Sequence, residues 1–159
     1  MRGKNTKKRV LQPDLKYGNV NLARFINFVM QNGKKSTAQN IVYKALEKAS
    51  EELKKEPVAV FDEVVRTISP QLEIRTRRVG GANYQVPMPV RGDRQFALAF
   101  RWIIGAARNK KGKPMADKLA TVLIESFQGV GDAVKKRDDV HRMAEANKAF
   151  AHFANFVRR

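Results

Sequence analysis

Apolar residues recur at every third or fourth position through most of this chain, and at every second position through one stretch. The first period marks the buried stripe of a helix, the second the buried face of a strand. Leu22, Phe25, Ile26, Val29 and Met30 share one helical face and predict a first helix over about Val20 to Gln31. Asn32-Gly33 ends it, with Gly33 as a left-handed cap. Ser36 and Gln39 have the spacing of a capping box and open a second helix. Its stripe is Ala38, Ile41, Val42, Ala45, Leu46, Ala49 and Leu53. Pro57 suits the first turn of a third helix, buried through Val60, Phe61, Val64, Val65 and Ile68 and stopped by Pro70. Asp93 reads as the N-cap of a fourth, with Phe96, Phe100, Ile103, Ile104 and Ala107 inward. A fifth covers about Met115 to Gln128 through Leu119, Val122, Leu123, Ile124 and Phe127. Gly129 to Gly131 break the pattern, and Asp132 caps a sixth whose stripe is thin: Val134, Val140, Met143 and Ala144.

The stretch from Leu72 to Val90 departs from this period. Leu72, Ile74, Thr76 and Arg78 alternate with Glu73, Arg75, Arg77 and Val79; past Gly80-Gly81-Ala82-Asn83, Tyr84, Val86, Met88 and Val90 alternate with Gln85, Pro87 and Pro89. Prolines two apart leave their missing N–H groups on one edge, so the other edge can pair with the first run, and no third strand can add. The reading is a mainly α, six-helix domain with a protruding two-stranded β-hairpin between helices 3 and 4. A flexible basic N-terminal arm (1–19) precedes the single domain (20–159), whose hairpin covers 72–90. A lone hairpin is marginal in water, so this one is expected to gain order against a partner. The aromatic end, Phe150 to Val157, lacks obvious neighbours and is expected to pack late or to meet another protein.

Charge says what that partner is. The 159 residues carry 32 Lys and Arg against 15 Asp and Glu, a net +17. Residues 1–35 hold nine bases and one acid, residues 66–113 eleven and two, while residues 36–65 hold four and six. Cations packed into two blocks repel one another until a partner neutralises them. A phosphate backbone is the commonest such partner; an acidic protein or a membrane surface is the less favoured one. Candidate contacts are Arg2, Lys4, Lys7, Lys8 and Arg9 on the arm, for which a merely solvated tail is the plain alternative. Lys34, Lys35, Ser36 and Thr37 join them at a helix N-terminus, where free N–H groups attract anions. Arg75, Arg77 and Arg78 lie on the hairpin, and Arg94, Arg101 and Arg108, spaced by seven, line one side of helix 4. Lys110, Lys111 and Lys113 form the next connector. Trp102, beside Arg101, reads as core filling rather than a base-stacking residue. The alternating charges of helix 2's outer face (Glu47, Lys48, Glu51, Glu52, Lys54, Lys55) read as solvated.

Catalytic and metal motifs do not present themselves. There is no cysteine, which excludes disulfides and thiolate sites and fits a reducing compartment. His141 and His152 are eleven apart, without metal-ligand spacing. No apolar run is long enough to span a bilayer, and the basic start lacks the apolar segment of a signal peptide. The chain reads as a binding module, not an enzyme, with no cofactor and no metal. Two other classes stay open: a DNA-binding architectural protein with a ribbon in a groove, and an enzyme acting on RNA. Competition between folded RNA and duplex DNA separates the first from RNA binding, and a turnover assay tests the second.

Four stretches resemble the bacterial-type family of ribosomal protein seven of the small subunit: Lys16-Tyr17-Gly18 through Leu46; Arg77-Arg78-Val79-Gly80-Gly81-Ala82-Asn83-Tyr84-Gln85-Val86-Pro87; Arg94 to Arg108; and Met143-Ala144-Glu145-Ala146-Asn147-Lys148-Ala149-Phe150-Ala151-His152. The likeness runs in register over nearly the whole chain. It implies a structural constituent of the small subunit that binds the 3′ major domain of 16S-type rRNA. It further implies a primary assembly protein that nucleates the head and lies near the tRNA exit site and the mRNA exit path. It implies rRNA contacts at the positions above together with Arg91, and places Gly80, Gly81, Ala82, Asn83, Tyr84, Arg142 and Lys148 near tRNA or mRNA. It implies proteins eleven and nine of the small subunit as neighbours, and a cytoplasmic ribosome of bacterial type, an organellar one being the alternative. Two departures stand out. The arm lacks the family's run of consecutive arginines, and the chain ends Phe153-Ala154-Asn155-Phe156-Val157-Arg158-Arg159 where a Tyr-Arg-Trp ending is frequent.

Overall fold

A computed structural model describes residues 10–155. The arm cations Arg2, Lys4, Lys7, Lys8 and Arg9, and residues 156–159, lie outside the described residues. The elements follow the order the periodicity predicts: α1 (Val20–Val29), α2 (Lys35–Leu53), α3 (Pro57–Ile68), β1 (Leu72–Val79), β2 (Ala82–Pro89), α4 (Asp93–Asn109), α5 (Met115–Phe127) and α6 (Asp132–Ala146); a C-terminal 3₁₀ helix (Lys148–Asn155), not predicted, follows them. No helix among the described residues is long and apolar enough to cross a membrane.

The core forms where the predicted stripes meet. Phe25 of α1, Phe61 of α3 and Phe100 of α4 are fully buried, with ring centroids 5.3 to 6.2 Å apart. Leu46 of α2 and Leu119 and Leu123 of α5 close the other side, α2 packing along α5. Trp102 is half-buried against this core, as a filling residue should be.

The helix ends depart from expectation, for backbone reasons. Asn19 caps α1, its Oδ1 accepting from the N–H groups of Asn21 (2.8 Å) and Leu22 (3.2 Å). The helix then stops at Val29, and Asn32 and Gly33 both take left-handed φ (51° and 74°) beyond it, so Gly33 shapes a turn rather than capping α1. That turn starts α2 at Lys35, two residues ahead of the helix that a Ser36 cap predicts. Ser36 is already inside the first turn, Lys34 holds the cap position with no side-chain bond, and the capping box does not form. Asp93 and Asp132 are likewise first helical residues and not caps. The cap positions belong to Gly92 (φ 56°) and Gly131 (φ 98°), in conformations open to glycine but strained for other residues. The acids still favour the positive end of each helix dipole. On α6 Met143 is exposed. The buried side is instead Ala133, Val134 and Ala144, with Arg137 donating to the Thr67 carbonyl and His141 Nε2 accepting from the Gln71 N–H at 3.1 Å.

The hairpin closes more tightly than predicted. Gly80 and Gly81 both have positive φ (57° and 92°), the requirement of a two-residue turn whose twist matches the strands. Ala82 and Asn83 therefore belong to β2, opposite Val79 and Arg78, rather than to the turn. Pro87 and Pro89 face Ile74 and Leu72. Val90 N–H bonds to Gln71 O at 2.9 Å, so by alternation these proline pairs are the ones that exchange no hydrogen bond, and the ladder survives. The hairpin leaves the bundle, yet one of its faces is covered by the chain itself. Val86 is fully buried, and Tyr84 packs on Phe150 (5.3 Å) and Phe153 (4.9 Å) of the 3₁₀ helix. The aromatic end thus finds part of its partner inside the molecule.

Candidate nucleic-acid interface

The left-handed turn after α1 delivers Lys34 and Lys35 to the N-terminus of α2, all exposed with Ser36 and Thr37. There Lys34 and Thr37 share a cleft of about 360 Å³ with Gln31, Asn32, Met115 and Arg108. Arg108 comes from the last turn of α4, so two stretches far apart in sequence build one basic mouth at a helix N-terminus. Neither Lys34, Lys35 nor Arg108 has an ion pair among the described residues. Of the adjoining connector, Lys111 and Lys113 are also exposed and without an ion pair among the described residues, but Lys110 is tied to Glu125 at 2.6 Å.

The seven-residue row on α4 divides by surroundings. Arg108 opens on the cleft. Arg101, mid-helix, lies over the half-exposed Phe28 ring at 6.0 Å, an arrangement that keeps its guanidinium at the surface. Arg94, at the start of the helix, donates Nε to Glu73 at 3.0 Å.

Glu73 is the residue that sequence reading passed over. It is buried on β1 and also holds Arg75, so one carboxylate carries two guanidinium groups, one from the hairpin and one from α4. A signal existed: an acid two residues before an arginine on the same strand face. Beyond it, Arg77 reaches Met88 Sδ at 3.7 Å, and Arg78 and Arg91 are exposed with no ion pair among the described residues. The predicted contacts on the hairpin therefore fall into two kinds: cations tied inward at the root, and cations presented outward.

The root of the arm is built in the same way. Asp14 is buried; its Oδ2 accepts from the N–H groups of Lys16 and Tyr17 (3.2 Å each) and its Oδ1 from the Tyr43 hydroxyl at 2.6 Å. Burial, then the Asp14 hydrogen bond and charge, push the Tyr43 phenol up to about 12. Lys16 pairs with Glu47, which raises its pKa, and lies over the rings of Tyr17 and Tyr43. Pro13-Asp14 is turn chemistry in the sequence, but its partner 29 residues on is not visible there.

Gly80 to Asn83 form the exposed tip of the hairpin, and Tyr84 lies half-buried below it. Lys148 lines a separate, mostly apolar groove of about 610 Å³ with Leu72, Pro87, Pro89, His141 and Ala144. Arg142 is exposed on α6, 3.7 Å from Asp139. The tip and Arg142 stand on different elements, and the groove joins the hairpin base to the end of α6.

Cations without an ion pair among the described residues line one cleft, the adjoining connector and the hairpin, an arrangement with the chemistry of a nucleic-acid-binding module. The S7p/S5e family of ribosomal proteins matches residues 1–148, and the chain belongs to it, a family of structural, non-enzymatic ribosomal components. The small ribosomal subunit protein uS7 of Teredinibacter turnerae is 56% identical over 146 residues, covering 92% of this chain and 94% of that protein. Its counterpart in Kosmotoga olearia is 52% identical over 153 residues, covering 96% and 99%. That of Chloroflexus aurantiacus is 49% identical over 149 residues, covering 94% and 95%.

Proposed function

We propose that this chain is the small-subunit constituent that binds the 3′ major domain of 16S-type rRNA early in assembly and nucleates the head. Family membership supports its place in the small ribosomal subunit. The single observation that carries the RNA reading is the cleft, where α2's N-terminus, Lys34, Thr37 and Arg108 converge without a counter-ion among the described residues. Helical RNA offers side chains phosphates and shape rather than readable base edges in its deep groove, and dispersed cationic mouths suit that. Contacts run through the arm, residues 34–37, Arg78, Arg91, Arg101, Arg108, Lys111 and Lys113, with Arg75, Arg77, Arg94 and Lys110 alongside. The hairpin tip, with Arg142 and Lys148, faces exit-site tRNA and the mRNA path, and proteins eleven and nine of the small subunit are its neighbours. Chemical footprinting of small-subunit rRNA with the purified chain tests this. Protection confined to the 3′ major domain is expected; protection elsewhere, or none, contradicts it. Duplex DNA that competes as well as folded rRNA supports the architectural DNA-binding reading instead.

A further inference from the structure

Only two charged side chains among the described residues are buried, Asp14 and Glu73. Each sits where a basic appendage joins the body. Asp14 gathers the N–H groups of Lys16 and Tyr17 and the Tyr43 hydroxyl, fastening residues 13–17 to α2. Glu73 gathers Arg75 of the hairpin and Arg94 of α4, fastening β1 to the bundle. Arg94's neighbour Asp93 pairs with Arg24 of α1 at 2.8 Å, so a third element is bound into the same root. A buried carboxylate is costly unless its acceptors are filled, and both are filled by groups from two different elements. In a chain of net +17 bound for a polyanion, such acids oppose binding by charge alone.

We propose that Asp14 and Glu73 are positioning residues: in the free protein Asp14 holds residues 13–17 against α2, and Glu73 fixes the direction in which the basic hairpin leaves the body. RNA then meets cations already aimed, and less ordering cost falls on the binding step. On this account Arg75 and Arg94 work mainly through Glu73, and the outward Arg78 and Arg91 touch phosphate. The inference rests on the RNA-binding reading above, but makes a prediction of opposite sign to simple electrostatics. Neutralising an acid adds one positive charge, which by charge alone tightens RNA binding. Clamping predicts the reverse.

The test titrates a 3′ major domain transcript with full-length chain across salt concentrations. It compares Asp14→Asn and Glu73→Gln with Glu51→Gln, an exposed acid on the outer face of α2. The two buried-site variants are expected to bind roughly three- to tenfold more weakly, with the dependence on salt undiminished because no cation is lost. Glu51→Gln is expected to bind as well as wild type or slightly better. Because the chain has no cysteine, spin labels at Gln85→Cys and Lys44→Cys report the hairpin's direction without RNA. Their distance distribution should widen in Glu73→Gln. Tyr43→Phe and Glu73→Asp, which retain core volume and charge respectively, should show part of the same loss with wild-type amide protection in the helices. Wild-type or tighter affinity in the buried-site variants, with an unchanged distance distribution, overturns the proposal. A wild-type chain that shows no salt-dependent binding to the transcript overturns the RNA reading instead, and the label distances then still judge the clamp at Glu73.

Discussion

Tyr43 shows how much one side chain's surroundings can do. Its phenol keeps its proton up to about 12 in the fold but loses it near the ordinary 10.0 when unfolded. Between those values the unfolded chain holds fewer protons, so stability must fall as pH rises from about 10 to about 12. Titrating phenolate absorbance should reveal one tyrosine with a midpoint near 12, absent from Tyr43→Phe; a full complement titrating at the ordinary value would contradict the Asp14 contact. Glycines divide as sharply. A Cβ on Gly131 would lie 2.9 Å from Glu125 Oε2 and 3.0 Å from its Cβ, at a φ of +98°. Gly131→Ala should cost about 1–3 kcal/mol in chemical denaturation. Gly105, inside α4 with open space around it, should gain about 0.5–1 kcal/mol on becoming Ala. Residue scale is also where sequence reading failed. Ser36, Asp93 and Asp132 have capping chemistry, but whether a residue caps depends on backbone angles set by the neighbouring glycine. Beside their local partners, Glu73 and Asp14 take one each from 21 and 29 residues away in sequence, which no local period reveals.

At the scale of elements the sequence was far more legible. All six α-helices were visible because each buries a continuous stripe, and burial imposes the 3.6-residue period whatever the neighbours are; the 3₁₀ helix, Lys148–Asn155, was not. Pro57 and Pro70 marked α3 without error. The stripe was least legible in α6, where Arg137 and His141 fill inward positions by hydrogen bonding and so look polar in sequence. The hairpin's strands were legible, its cover was not, since Tyr84 meets Phe150 and Phe153 only through tertiary folding. Two predictions belong here. Phe100→Ala removes the ring shared by Phe25, Phe61 and Phe96 and should cost about 3–5 kcal/mol. Replacing Phe150 and Phe153 together by Ala should speed amide exchange around Tyr84 and leave α2 and α5 protected. Equal protection of β2 in that variant would mean that the 3₁₀ helix does not support the hairpin.

For the molecule as a whole, the two basic blocks were plain from composition, and the structure divides them by surroundings. Some cations are spent on internal acids: Lys16 on Glu47, Arg24 on Asp93, Arg75 and Arg94 on Glu73, Lys110 on Glu125. Lys34, Lys35, Arg78, Arg91, Arg108, Lys111 and Lys113 are left facing solvent without an ion pair among the described residues. Counting charge in the sequence cannot separate the two sets, because pairing is decided by which helices pack together. The separation has a thermodynamic signature. Each phosphate neutralised releases counter-ions, and affinity then falls with salt in proportion to their number.

The decisive measurement is therefore the salt dependence of affinity for a small-subunit rRNA transcript, in wild type and in a variant with Lys34, Arg78, Arg91 and Arg108 all changed to Gln. Wild type should lose affinity steeply as salt rises, and the variant's slope of log affinity against log salt should be shallower by roughly three. A variant slope equal to wild type would mean that these exposed cations do not meet phosphate, and the account would be wrong.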